Sequence, residues 1–178
     1  MTSHELQHRV VIRPSTGSDV AGLAALKAAV ETATYSDYGT AEEHSISLEE
    51  FCSPNYIRKL RARGPVLVAE DQVGTIIGMI AERSLENSST EISGMYCVVP
   101  GRGIGTSLLL SAIAQLGDAD TVEIEVFERN SKGRQYFEHL GFEYSAHRRM
   151  SESYAGQVLL RMSAPVERIR RALSAYRS

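Results

Sequence analysis

Apolar and polar positions change period several times along the chain, and each change marks an element. Val10-Val11-Ile12-Arg13 is a β-branched run, and Pro14 removes a backbone donor and fixes φ, so a first strand ending there is expected. Thr16-Gly17-Ser18-Asp19 offers turn and N-cap chemistry before Val20, Leu23, Leu26, Ala29 and Val30 recur at helical spacing, which predicts a helix over about 19–33. An irregular stretch carrying Tyr35, Tyr38 and Gly39 follows. Ser47-Leu48-Glu49-Glu50 has capping-box spacing and predicts a second helix from about Ser47, with Pro54 restarting a helix through Tyr56–Leu60 from a first-turn position.

Pro65–Glu70 and Thr75–Ala81, joined by the polar Asp71-Gln72-Val73-Gly74, read as a hairpin, and Thr90–Val99 as a third consecutive strand, antiparallel to the second. Gly101, Gly103 and Gly105 then punctuate the chain before a buried helix that starts near Thr106 and that Gly117 stops. Val122–Phe127 alternates with period two, a strand with one apolar face. Asn130-Ser131 can cap a helix over about 131–140 ended by Gly141, and Phe142–Tyr144 and Gln157–Met162 read as closing strands. Val166, Ile169, Leu173 and Tyr176 share one helical face. The chain therefore divides into a domain over 1–164 and a basic C-terminal helix over 165–178, packed on the domain or on a second subunit.

Composition narrows the function. At 178 residues the chain suits one globular domain, and a formal charge of −3 supplies no general field for gripping nucleic acid. Apolar runs of a few residues fall far short of the roughly 20 that span a bilayer, and the first residues lack a signal-peptide pattern, so a cytoplasmic protein without a membrane or nucleic-acid partner is expected. Cys52 and Cys97 form no disulfide framework, and His44, His139 and His147 show no metal-ligand spacing, so no metal is expected. From Val30 to Ile57 there is no Lys or Arg, while Glu31, Asp37, Glu42, Glu43, Glu49 and Glu50 are all acidic. Such a stretch suits a cationic ligand or a solvated face.

A strand followed by Gly101-Arg102-Gly103-Ile104-Gly105 and a helix places uncrowded backbone N–H groups at a helix N-terminus, a geometry that binds phosphate. A dinucleotide fold fits poorly, because Thr106 stands at the last glycine's place and the motif follows an antiparallel meander. No GK[ST] follows, which excludes a Walker loop.

Four segments, in order and spacing, resemble the GCN5-related N-acetyltransferase (GNAT) superfamily: Val11–Asp19, the Leu67–Ile80 hairpin, Glu91–Leu109 with its glycine turn, and Asn130–Phe142. The resemblance implies an α/β (α+β) GNAT fold, a mixed, mostly antiparallel sheet flanked by helices and splayed between its fourth and fifth strands. It implies acetyl-CoA as cosubstrate, with the pantetheine arm along Cys97, Val98 and Val99, and the pyrophosphate on the turn formed by Gly101, Arg102, Gly103, Ile104, Gly105 and Thr106. Asn130, Arg134 and Phe137 complete the implied cofactor contacts. Phe137 stands where the family often has a general-acid Tyr, so Tyr35, Tyr38 or Tyr154 is left to deliver a proton, while Tyr136 reads as core packing. Glu91 and Glu125 are the candidate bases, with Ser93 on the face of Glu91. Glu31, Tyr35 and Tyr38 are the candidate acceptor-binding residues. The expected reaction is direct attack of a primary amine, of a cationic small molecule or peptide, on the thioester. A non-catalytic acyl-CoA-binding regulatory module is the alternative. A homodimer is common in the family.

Overall fold

The computed structural model describes residues 10–175. Among the described residues, seven strands form one sheet in the order β1-β2-β3-β4-β5-β7-β6. The first four, β1 (Val11–Pro14), β2 (Val66–Glu70), β3 (Ile76–Ser84) and β4 (Ser89–Cys97), make an antiparallel meander. β5 (Thr121–Phe127) runs parallel to β4, and β7 (Val158–Pro165) and β6 (Glu143–Met150) add antiparallel to it. Pro14 is the last residue of β1, as expected, a place open to proline because β1 is an edge strand.

Six α-helices of the described residues flank the sheet: α1 (Val20–Tyr35), α2 (Ala41–Phe51), α3 (Pro54–Arg63), α4 (Ile104–Ile113), α5 (Ser131–His139) and α6 (Val166–Ala175). One face of the sheet buries Leu108, Leu109 and Ile113 of α4 together with Phe137 of α5 and Val166, Ile169 and Leu173 of α6. The other buries Leu23 and Leu26 of α1 with Ile57 and Leu60 of α3. Tyr176 lies outside the described residues. No helix among the described residues is long and apolar enough to cross a membrane.

Two boundaries differ from the sequence reading. α2 begins at Ala41, not near Ser47, because Thr40 forms a capping box with Glu43, and Ser47 is fully buried mid-helix with its hydroxyl donating to Glu31. α4 begins at Ile104 and ends at Ile113, ahead of Gly117, which occupies a later left-handed turn.

The functional feature of this topology is a fork. β4 and β5 pair from Ser89↔Thr121 to Ile92↔Ile124 and then part, although β4 continues to Cys97 and β5 to Phe127. At the same point Ala81 pairs with Gly94 and Glu82 with Ile92, leaving Ser93 as an extra residue in β4. Such a bulge bends its strand, and here it turns β4 away from β5.

Candidate active site

The fork opens into a cleft of about 1450 Å³ that crosses the sheet between the two helical layers. On the α4 side its floor is the turn from Val99 to Thr106. Gly101 and Gly103 have φ of +80° and +73°, left-handed values that a side chain would strain, and Gly103 is the N-cap of α4. A glycine N-cap offers no side-chain acceptor. The first-turn N–H groups of α4 thus face the cleft uncapped, with the positive end of the helix dipole behind them. Gly78 of β3 lets α4 seat this close: a Cβ there would meet Ile104 and Leu108 at 3.0 Å.

Of the residues expected to hold cofactor, Cys97, Val99, Gly101 and Gly103 line the cleft, as do Ile104, Gly105 and Thr106, and beyond them Asn130 and Phe137. Three do not. Val98 donates its N–H to Ile77 O at 3.1 Å and turns its side chain outward, Arg102 is exposed at the tip of the turn, and Arg134 reaches instead to the Tyr144 hydroxyl at 3.3 Å. Burial pushes the Cys97 thiol up to about 11, so it stays a neutral thiol. Tyr136, expected as core packing, stacks edge-on against Phe137 and also lines the cleft.

The opposite wall is charged. Glu91 of β4 pairs with Arg83 of β3 at 2.5 Å through one carboxylate oxygen. Glu125 of β5 spends both oxygens, taking Arg149 at 2.7–3.1 Å and Arg161 at 3.3 Å. Burial acts to raise its pKa, but the bonds from Arg149 and Arg161 prevail and hold it below the usual carboxylate range. Glu123 also pairs with Arg161, at 3.3 Å. A band of alternating charge thus crosses five strands at the fork, and none of its arginines carries a local sequence signal.

Behind this band lies a buried ion pair. Lys27, 4% exposed, sits 3.4 Å from the Glu31 carboxylate and 4.8 and 5.5 Å from the ring centres of Tyr96 and Tyr56. Desolvation works against its charge, but the neighbouring phenols, Glu31 and Cys52 win, and the ammonium is held well above its ordinary pKa. Glu31 also accepts from Ser47 at 3.3 Å and Tyr154 at 3.4 Å, and the Tyr154 hydroxyl meets His44 Nδ1 at 2.9 Å.

Half of the acidic stretch is therefore consumed. Glu31 is paired to Lys27, Asp37 to Arg129 at 2.7 Å, and Glu43 caps α2 and takes the Ala155 N–H. Glu49 and Glu50 line the cleft and make no ion pair among the described residues; Lys59 and Arg63 of α3 line it too. Of the candidate acceptor residues, Glu31 and Tyr35 line the cleft. Tyr38 does not: 8% exposed, it packs against Tyr35, Phe127 and Tyr154, with Arg129 4.8 Å above its ring. Among the described residues no cluster of metal-ligating side chains occurs.

The family model described as "Acetyltransferase (GNAT) family" matches residues 29–142. No curated protein matches the sequence. Among solved structures, the PaiA N-acetyltransferase of Thermoplasma acidophilum in complex with coenzyme A aligns over 86% of this chain and 98% of its own, with TM-score 0.72 and 19% identity. A GCN5-related N-acetyltransferase of Rhodopseudomonas palustris covers 92% and 99%, with TM-score 0.71 and 17% identity. The ribosomal-protein-alanine N-acetyltransferase of Brucella melitensis covers 87% and 99%, with TM-score 0.62 and 23% identity.

Proposed function

The chain belongs to the acetyltransferase (GNAT) family, an N-acetyltransferase family that takes its acyl group from acetyl-CoA, and from that premise we propose that it acetylates a small amine or peptide that carries both charges. The observation that carries this reading is the fork opening directly beside the uncapped turn of α4. A phosphate group fits the turn because its N–H groups have no acceptor of their own. Val98 already spends its N–H on β3, so an extended amide arm entering the fork would meet the backbone of the residues on either side, Cys97 and Val99, as an added strand.

Bound acetyl-CoA supplies an activated acyl group; the chain supplies position, polarisation and proton transfer. Glu91 is the better base. One of its oxygens has no protein partner among the described residues, whereas both oxygens of Glu125 are held by guanidiniums that lower its proton affinity. We therefore assign Glu125 to hold Arg149 and Arg161 in place and Glu91 to take the ammonium proton, directly or through water. The acceptor wall is mixed rather than acidic, since Lys59 and Arg63 line the cleft along with Glu49 and Glu50. This supports an amino acid or a peptide over a bare polycation.

Release of coenzyme A thiol, measured against spermidine, free amino acids, and peptides with N-terminal or lysine amines, tests the reading. Turnover highest with an acceptor bearing both an amine and a carboxylate supports it. Turnover with spermidine alone would overturn the substrate class, and tight acetyl-CoA binding without turnover on any amine would leave a non-catalytic acyl-CoA module.

A further inference from the structure

Breaking a thioester C–S bond leaves a thiolate that needs a proton, and the cleft wall nearest the end of β5 presents Phe127 and Phe137, which have none to give. The hydroxyl of Tyr35 reaches the same place from α1. Its ring is clamped between Tyr38 and Phe127, with ring centres 4.9 and 5.1 Å away. Its oxygen lies 3.3 Å from Asn130 Nδ2.

The donor and acceptor inventory fixes the direction of that bond. The Oδ1 of Asn130 accepts from Gly133 N at 2.9 Å to cap α5, so the amide must turn its NH₂ group toward Tyr35. The phenol oxygen therefore accepts, and its own O–H is left over; no protein acceptor for it occurs among the described residues. A donor held by packing and by a helix cap, with its proton unspent and facing a cleft, is an acid awaiting a substrate atom.

The other phenols are placed differently. Tyr154, fully buried, is committed to His44 and Glu31, and Tyr38 does not line the cleft. Tyr96 lies against the Lys27 ammonium.

Resting on the acetyl-transfer reading above, we propose that Tyr35 is the general acid of the reaction, delivered from α1 and aimed by Asn130. The amine nitrogen bonds to the carbonyl carbon, the C–S bond breaks, and Tyr35 gives its proton to the departing sulfur. The tyrosinate then regains a proton from solvent, while the proton lost by the amine leaves through Glu91. Burial, with Tyr96 and Glu31 nearby, pushes the phenol up, so Tyr35 is protonated when the reaction begins.

The test compares Tyr35→Phe with the wild type, using acetyl-CoA and the best amine of the panel. A general acid contributes typically 100- to 10,000-fold, so kcat should fall by about 100-fold or more while the Kd for acetyl-CoA stays unchanged. Replacing Tyr35 with the more acidic 3,5-difluorotyrosine should restore turnover and bring a new loss of activity at high pH into the measurable range. The proposal is overturned if kcat of Tyr35→Phe stays within about threefold of the wild type, if the loss appears in acetyl-CoA affinity instead, or if Tyr136→Phe or Tyr96→Phe shows the acid's signature while Tyr35→Phe does not. A wild type that acetylates no amine would sink the acetyl-transfer reading itself, whereas an active wild type with an equally active Tyr35→Phe would sink this assignment alone.

Discussion

The two faces of the sheet solve different problems. The face covered by α4, α5 and α6 is a nearly continuous apolar core, and what it offers the cleft is backbone: a turn of left-handed glycines and an uncapped helix start. The face covered by α1 and α3 offers side chains: a buried Lys27–Glu31 pair, a band of Arg and Glu at the fork, and phenols held by aromatic packing. Backbone amides recognise any phosphate and tolerate wide sequence change around them. Side-chain networks recognise one acceptor geometry and fail when a member is lost. The first face suits a ligand shared by a whole family, and the second suits whatever distinguishes this member.

Even their buried ionisable groups differ. On the side-chain face Lys27 is answered by Glu31, Ser47 and Tyr154 through one shared carboxylate. On the backbone face Glu82, 5% exposed, leaves Oε1 without a partner, and burial alone raises its pKa to about 7.

The largest effect comes from breaking the answered pair. Lys27→Ala leaves Glu31 charged and buried, and removing one partner of a buried pair typically costs about 3–5 kcal/mol. Denaturant unfolding of Lys27→Ala checks this. Lys27→Met combined with Glu31→Gln should recover most of the loss, because Gln keeps an acceptor for Ser47 and Tyr154 while no charge is left unpaired. If the double variant is as unstable as the single one, the pair is not the reason for the loss.

A smaller effect of opposite logic is expected at Glu82. Its folded pKa is raised from 4.5 to about 7, so between those pH values the folded chain holds a proton that the unfolded chain has lost. Stability should therefore fall as pH rises through that window and be flat in this group's contribution on either side. Glu82→Gln removes the titration. Melting temperatures taken from pH 4.5 to 8 should slope downward less in the variant than in the wild type. Parallel slopes would mean that Glu82 finds a partner in solution.

How much of this was legible follows the same division. The β2–β3 hairpin, the period-two strand β5 and the glycine turn announce themselves locally, and they carry most of the backbone face. The start of α2 could not be read, because Thr40-x-x-Glu43 and Ser47-x-x-Glu50 have the same spacing and only the distant Glu31, which claims the Ser47 hydroxyl, separates them. The acidic stretch reads from sequence as either a ligand surface or a solvated face; Arg129, 92 residues away in sequence, and the α2 cap consume part of it. Arg83, Arg149 and Arg161 reach their carboxylates across strand pairings that no local pattern encodes. Arg134 carried the right charge in the right segment, but Tyr144 and the side chain's path along α5 take it away from the cleft.

The smallest effect on stability separates the faces most cleanly in function. Gly103 sits at φ +73° with nothing within 4 Å of where a Cβ would stand, so Gly103→Ala meets no clash and suffers only the left-handed strain, about 1–2 kcal/mol. The added methyl projects into open space beside the uncapped amides, where a phosphate must approach the backbone closely. Calorimetric titration should therefore show acetyl-CoA affinity falling by about tenfold or more, out of proportion to a melting temperature lowered by only a few degrees. The charged wall is untouched by this change, so kcat at saturating acetyl-CoA should stay close to wild type. If kcat falls and affinity does not, the turn does not hold the phosphates, and the division of labour between backbone and side chains is wrong at its simplest point.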